Sequence, residues 1–174
     1  MTDNDQELAE KLADELAERC WSLRKIPVPS MKGIKDTVKN ARRSFLARKL
    51  GTITICDASD VVAAGSTGEN TEVLRELLEN GKGLLSYVPI RDPETISNLW
   101  NLEIGSPIET SVGGKLHPEI NQPLAVKGKI LIKKDTKEFG RVIVLDLKHV
   151  KLVITEGSAL ALKPEFYGNL GLKA

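Results

Sequence analysis

The feature that most limits the fold is a change in hydrophobic period about two-thirds of the way along the chain. Leu124, Val126, Ile130 and Ile132 alternate with Lys127, Lys129 and Lys133, the period of a strand with one face exposed. In the opening segment the period is helical. Leu8, Leu12, Leu16, Cys20 and Leu23 recur three or four residues apart, with Ala9, Ala13 and Ala17 beside them. Asp3 or Asn4 is placed to cap this first helix, and Ile26-Pro27-Val28-Pro29 ends it, since proline removes backbone donors and disfavours helix before it. Ile34, Val38, Ala41 and Phe45 predict a second helix closed by Gly51.

Thr52 to Asp57 is short and β-branched and reads as a strand. A loop of small residues follows to Gly68, then a helix through Val73, Leu74, Leu77 and Leu78 that ends at Gly81. Leu84 to Ile90 reads as a buried strand. Asp92-Pro93-Glu94 opens a helix with a cap residue and proline at the first position, and Ile96, Leu99 and Trp100 form its apolar side. This order argues for parallel βαβ packing in the first two-thirds. Arg141–Leu147 and Val150–Thr155 read as two more strands joined at Lys148-His149, and Pro164–Leu172 as a short capping helix stopped by Gly171. The expected fold is α/β: a parallel βαβ core with helices, plus an antiparallel β lobe in the last third. The chain reads as one domain, residues 1–174, with an α/β part over 1–105 and a mainly β part over 106–174.

Composition removes several function classes. The net charge is +1 with 28% charged residues, and the aromatics are three Phe, two Trp and two Tyr. Neither an electrostatic footprint nor a stacking platform for nucleic acid is present. Lys32, Lys35, Lys39, Arg42, Arg43, Arg48 and Lys49 crowd the second helix; they read as a solvated face, with docking to an acidic partner as the alternative. The acidic, polar start lacks the form of a secretory leader, and no apolar run approaches the length of a bilayer span. A cytoplasmic protein without membrane contact is the expectation. Cys20 and Cys56 are expected to be buried thiols.

Two stretches could carry chemistry. The first, Asp57 through Thr71, follows the expected strand and opens a helix, where ligands bind in parallel α/β sheets. Gly65 and Gly68 allow close backbone approach, but no Gly-Lys-Ser/Thr follows, so it is not a P-loop. A plain connection with Thr67 or Thr71 as a local cap explains it equally well. The second is Gly113-Gly114-Lys115-Leu116-His117-Pro118, where paired glycines suggest a bulge or turn and Lys115 could reach a carboxylate or phosphate. The candidate ligand-binding residues are Asp57, Asp60, Gly65, Gly68, Thr71, Gly113, Gly114 and Lys115. No catalytic residue is assigned. His117 and His149 stand far apart, outside any zinc pattern, and no Gly-x-Ser-x-Gly elbow accompanies a Ser-His-Asp set.

Asp57, Ser59 and Asp60, then Gly65, Gly68 and Thr71, then Leu74, Arg75, Leu77 and Leu78 form a series. With Asp92-Pro93-Glu94, Gly113-Gly114-Lys115, Pro123 and Pro164-Glu165-Phe166-Tyr167 in the same order, it resembles the C-terminal domain of the MlrC-like family of microcystin-degrading zinc metallopeptidases. The first helix, through Trp21, Leu23 and Arg24, is similar too. The resemblance implies a larger N-terminal domain that carries the catalytic zinc and hydrolyses peptide bonds. On that basis the chain is expected to be an accessory half, inactive alone, with an exposed docking surface for a fused or separately encoded partner domain. The chain departs from the family at Val61-Val62-Ala63-Ala64, where Asn-Pro-Gly-Gly is usual, at His117 and Ile120, and at Gly157 and Ser158. Two alternatives stay open: a stand-alone module for a small anionic ligand, and a structural domain that forms a homo-oligomer.

Overall fold

The computed structural model describes residues 2–27, 30–158 and 163–172. The chain falls into two compact units, Met1–Lys32 and Gly33–Ala174.

The first unit is one helix, α1 (Gln6–Leu23). Its cap is Asp5, whose Oδ1 accepts the Leu8 N–H at 3.0 Å. Asp3 and Asn4, the caps expected from sequence, instead turn the chain with φ of 45° and 68°. Val28 and Pro29, part of the expected stop, lie outside the described residues. None of the helix is buried, and Leu16, Trp21 and Leu23 are all more than half exposed. Cys20 is exposed as well, contrary to expectation, because a helical apolar stripe buries a thiol only where something covers it.

The second unit holds the remaining elements in the order α2 (Ile34–Arg43), α3 (Phe45–Leu50), a 3-10 turn (Val62–Ala64), α4 (Glu72–Asn80), β1 (Ser86–Arg91), α5 (Pro93–Leu99), β2 (Pro107–Val112), β3 (Leu124–Thr136), β4 (Gly140–Leu147), β5 (Val150–Thr155) and α6 (Pro164–Asn169). The five strands form one sheet in the order β1-β5-β4-β3-β2. The α/β class expected from sequence holds. Its parallel component is one pair, β1 on β5, with Val88 opposite Leu152, and every other pairing is antiparallel. Residues 52–57 are not part of the sheet. Ile53 packs against the core from an unpaired segment, so its β-branched composition reflects partial burial rather than ladder hydrogen bonds. Cys56 is exposed there, again contrary to expectation.

Both faces of the central strands are covered. From β4 and β5, Ile143, Leu145, Leu152 and Ile154 face a core with Val38 of α2, Leu74 and Leu77 of α4 and Ile96 of α5. Val142, Val144 and Val153 face a second cluster with Phe139 and with Phe166 and Leu170 of the α6 region. Two-sided burial explains why β4 and β5 read as near-continuous apolar runs, unlike β3. The turn between them falls at Lys148 (φ 74°) and His149, as expected. Tyr167 of α6 stacks on Tyr87 at 5.5 Å, and burial pushes its phenol pKa up to about 12. The predicted second helix is two helices, broken at Ser44, whose Oγ donates to the Asn40 carbonyl at 2.9 Å.

Two ion pairs on β4 give the fold a pH dependence. Asp146 accepts a hydrogen bond from Lys151 at 2.6 Å, which holds its carboxyl below the ordinary value of 3.8. Glu156 is bound by the Arg141 guanidinium at 2.6 Å and also accepts the Arg141 N–H, which holds it below 4.5. A carboxyl lowered in the folded state adds stability that is complete above its unfolded pKa and disappears as pH falls through the folded value. The urea midpoint should therefore decline as pH is lowered from about 5 to about 3, and Glu156→Gln with Asp146→Asn should flatten that decline. An unchanged acid limb in the double variant would refute the assignment. The effect is modest, because the Glu156 side chain is about a third exposed.

Candidate functional site

The loop before α4 is held by carboxylates. Asp57 Oδ1 accepts the Ser59 N–H at 2.9 Å and the Ser59 hydroxyl at 2.6 Å, and its Oδ2 accepts Asn70 Nδ2 at 2.8 Å. Asp60 accepts two backbone amides, Gly68 at 2.9 Å and Asn70 at 2.8 Å. Between them Val62–Ala64 makes its single turn, and Gly65 leaves it with φ 98°. The Gly68 carbonyl accepts the Arg91 N–H at 2.7 Å, fastening the loop to the carboxyl end of β1. The start of α4 is capped by Asn70, whose Oδ1 accepts the Glu72 N–H at 3.0 Å, rather than by Thr67 or Thr71.

Thr71 is buried and points elsewhere. Its N–H donates to Asn121 Oδ1 at 3.1 Å, and its hydroxyl lies 2.8 Å from the Gln122 carbonyl. Glu69, also buried, accepts the backbone amides of Lys115 at 2.9 Å and Leu116 at 3.0 Å. The Glu69 carbonyl accepts the Gly114 N–H at 3.1 Å and Asn121 Nδ2 at 2.7 Å. These contacts bring the two glycine-bearing stretches together, although 46 to 52 residues separate them.

The paired glycines follow β2 with φ of 60° and 59°, a conformation other residues rarely adopt. A Cβ on Gly113 would lie 2.5 Å from the Glu69 carbonyl oxygen, and one on Gly114 2.4 Å from that of Asn121. The Gly113 N–H donates to Asp92 Oδ2 at 3.0 Å. Asp92 also caps α5 through the Thr95 N–H at 2.9 Å. The Lys115 ammonium is enclosed by three internal acceptors: Asp92 at 3.1 Å, Glu94 at 3.0 Å and Thr95 Oγ1 at 2.9 Å.

Of the candidate residues, Asp57, Asp60, Gly65, Gly68 and Thr71 shape one loop and Gly113, Gly114 and Lys115 the other. Gly65 bonds only to the Val62 carbonyl of its own turn, whereas Glu69, Asn121 and Asp92 join Thr71, Gly113, Gly114 and Lys115 into one polar network. Sequence reasoning missed its hubs, Glu69 and Asn121, and gave Asp92 only a capping role. The Asp92-Pro93 signal could identify the cap but not the second and third partners of the same carboxylate.

The donor set does not fit a zinc centre. Among the described residues, no group of three or more His, Cys, Asp or Glu is arranged to hold a metal. His149 Nε2 lies 2.9 Å from the Leu77 carbonyl, while His117 is exposed beside Glu119 at 3.4 Å. No helix among the described residues is long and apolar enough to cross a membrane.

The fold and site thus define a mixed α/β domain that carries two loops locked together at one end of its sheet. The family described as the MlrC C-terminus matches residues 55–174, and the chain belongs to that family. It is 26% identical to Microcystinase C from Sphingomonas sp over 188 aligned positions, which cover 99% of this chain and 35% of that protein. It also matches the crystal structure of a candidate metallopeptidase from Mesorhizobium sp. BNC1 with a TM-score of 0.75 and 21% identity, over 91% of this chain and 33% of that one. The chain spans about a third of the length of each.

Proposed function

We propose that this chain is the C-terminal accessory domain of an MlrC-type metallopeptidase, and that it completes or shapes a zinc site carried by a separate or upstream N-terminal domain. One observation carries the reading: nearly the whole chain aligns with Microcystinase C, yet it accounts for 35% of that protein. Residues 1–174 count as one domain of this kind, α1 included, because the alignment runs over 99% of the chain. The donor set supports placing the metal elsewhere.

In this reading the chain's own residues position rather than react. Asp57 and Asp60 hold the Gly65–Gly68 loop in one shape, and Glu69, Gly113, Gly114 and Lys115 fix the neighbouring loop against it, so the partner domain meets a rigid rim. Zinc bound by the partner would supply the hydrolytic chemistry, and no step of it runs through side chains of this chain.

The test uses the full 174-residue chain. Alone, it should bind less than stoichiometric zinc in equilibrium dialysis and show no peptidase turnover. Combined with an MlrC-type N-terminal domain, it should form a complex whose turnover requires both components. One tightly bound zinc per chain together with turnover by the isolated chain would overturn the proposal.

A further inference from the structure

Arg91 closes β1 at its carboxyl end, and no carboxylate among the described residues pairs with its charge. It is the last residue of that strand, opposite Thr155 in the parallel pair with β5. Its backbone N–H is taken by Gly68. Its Nε is buried and meets no hydrogen-bond acceptor, and among the described residues no carboxylate lies within ion-pair distance of it.

Other cations differ. Lys115 has Asp92 and Glu94, and Arg141 has Glu156. Arg48 shares an unmatched Nε but donates through Nη2 to the Arg42 carbonyl. The acids of the loop are likewise taken: Asp57 and Asp60 accept from the loop itself, and Glu69 accepts from Lys115 and Leu116. None of them neutralises Arg91. A guanidinium is always charged, and the Nη groups of Arg91, unlike its Nε, are not buried and make no hydrogen bond among the described residues, so they are the donors that an outside acceptor can reach.

The loop beside Arg91 supplies further donors. Ser66 and Thr67, directly before Gly68, are partly buried, and neither hydroxyl is engaged by the described residues. At Gly65 the space a Cβ would occupy is open to 4 Å.

We propose that Arg91 anchors an oxyanion, a carboxylate or a phosphate, at the carboxyl end of β1, with the Ser66 and Thr67 hydroxyls as secondary donors. A planar fork of N–H groups fits two oxygens of either anion, and the hydroxyls of the adjacent loop would serve a further oxygen of a phosphate. Lys115, the cation first expected to fill this role, is held by internal carboxylates. The site belongs to this chain alone, so it stands or falls independently of the accessory role proposed above.

The experiment is calorimetric titration of the full chain with inorganic phosphate and, separately, with succinate, at constant ionic strength with chloride as the control. Saturable binding of at least one of the two anions is expected, and which one binds identifies the source of the oxyanion. Arg91→Gln should weaken binding about tenfold or more, Arg91→Lys should weaken it less, and Thr67→Val should weaken it by a few-fold. Without the anion, Arg91→Gln should leave Tm unchanged or raise it, because no internal bond is lost; a purely structural arginine would lower Tm on substitution. Absence of saturable binding by the wild-type chain overturns the proposal. So does affinity unchanged in both Arg91 variants, or a lowered Tm for Arg91→Gln in the anion-free protein.

Discussion

Replacing Gly113 with alanine should cost about 3 kcal/mol of stability, read as a fall in the urea midpoint with an unchanged slope. Two independent penalties combine. The residue stands at φ 60°, where a Cβ brings strain of about 1 kcal/mol or more. The new Cβ would also lie 2.5 Å from the Glu69 carbonyl oxygen and 2.8 Å from Thr71 Cγ2. The carbonyl is not free to retreat, because it accepts from both Gly114 and Asn121. Gly65 provides the control: its φ is 98°, but its Cβ would meet nothing within 4 Å. Gly65→Ala should therefore show the conformational part alone, about 1 kcal/mol. If the two variants proved equally mild, the close approach of the loops would be wrong.

Removal of the Asp92 carboxylate should be comparably damaging, about 3 kcal/mol for Asp92→Ala. The side chain is 2% exposed and accepts the Thr95 N–H, the Gly113 N–H and the Lys115 ammonium. Without it, two buried amides lose their acceptor and Lys115 keeps only the exposed Glu94 as an ionic partner. Most of the loss is thus the cost of orphaned donors, not the net worth of an ion pair. A double-mutant cycle with Lys115→Met separates the two. In the Lys115→Met background, Asp92→Ala should cost less, because the stranded charge is gone. Additive losses would show that Lys115 and Asp92 do not act as a unit.

How much of this was legible in the sequence depends on the range of the interaction. The helical stripes of α1, α2 and α4 and the alternation in β3 are local periodicities, and they were readable. The apolar runs of β4 and β5 also marked strands, since both their faces are buried. Residues 52–57 misled because β-branched residues suit any half-buried extended segment, paired or not. The break at Ser44 gave no signal, because Phe45 continues the apolar stripe of α2 although it is exposed in the structure. Burial of Cys20 is expected from the general tendency of free thiols to be buried, and that tendency does not say what lies against this one. At the candidate site, the two loops and their glycines were found, but the joint between them was not. Glu69 and Asn121 are 52 residues apart, and nothing in the spacing of either announces the other.

The way the sheet ends bears on how the protein behaves in a crowded solution. An outer strand with free amides invites a neighbouring molecule to add another strand, the first step toward fibrous aggregates. At β1 the outer amide of Arg91 is already engaged by Gly68. At the opposite border, β2 opens with Pro107, which has no amide hydrogen to offer, and carries Glu109 in an exposed ion pair with Lys127. Both borders thus discourage polymer growth.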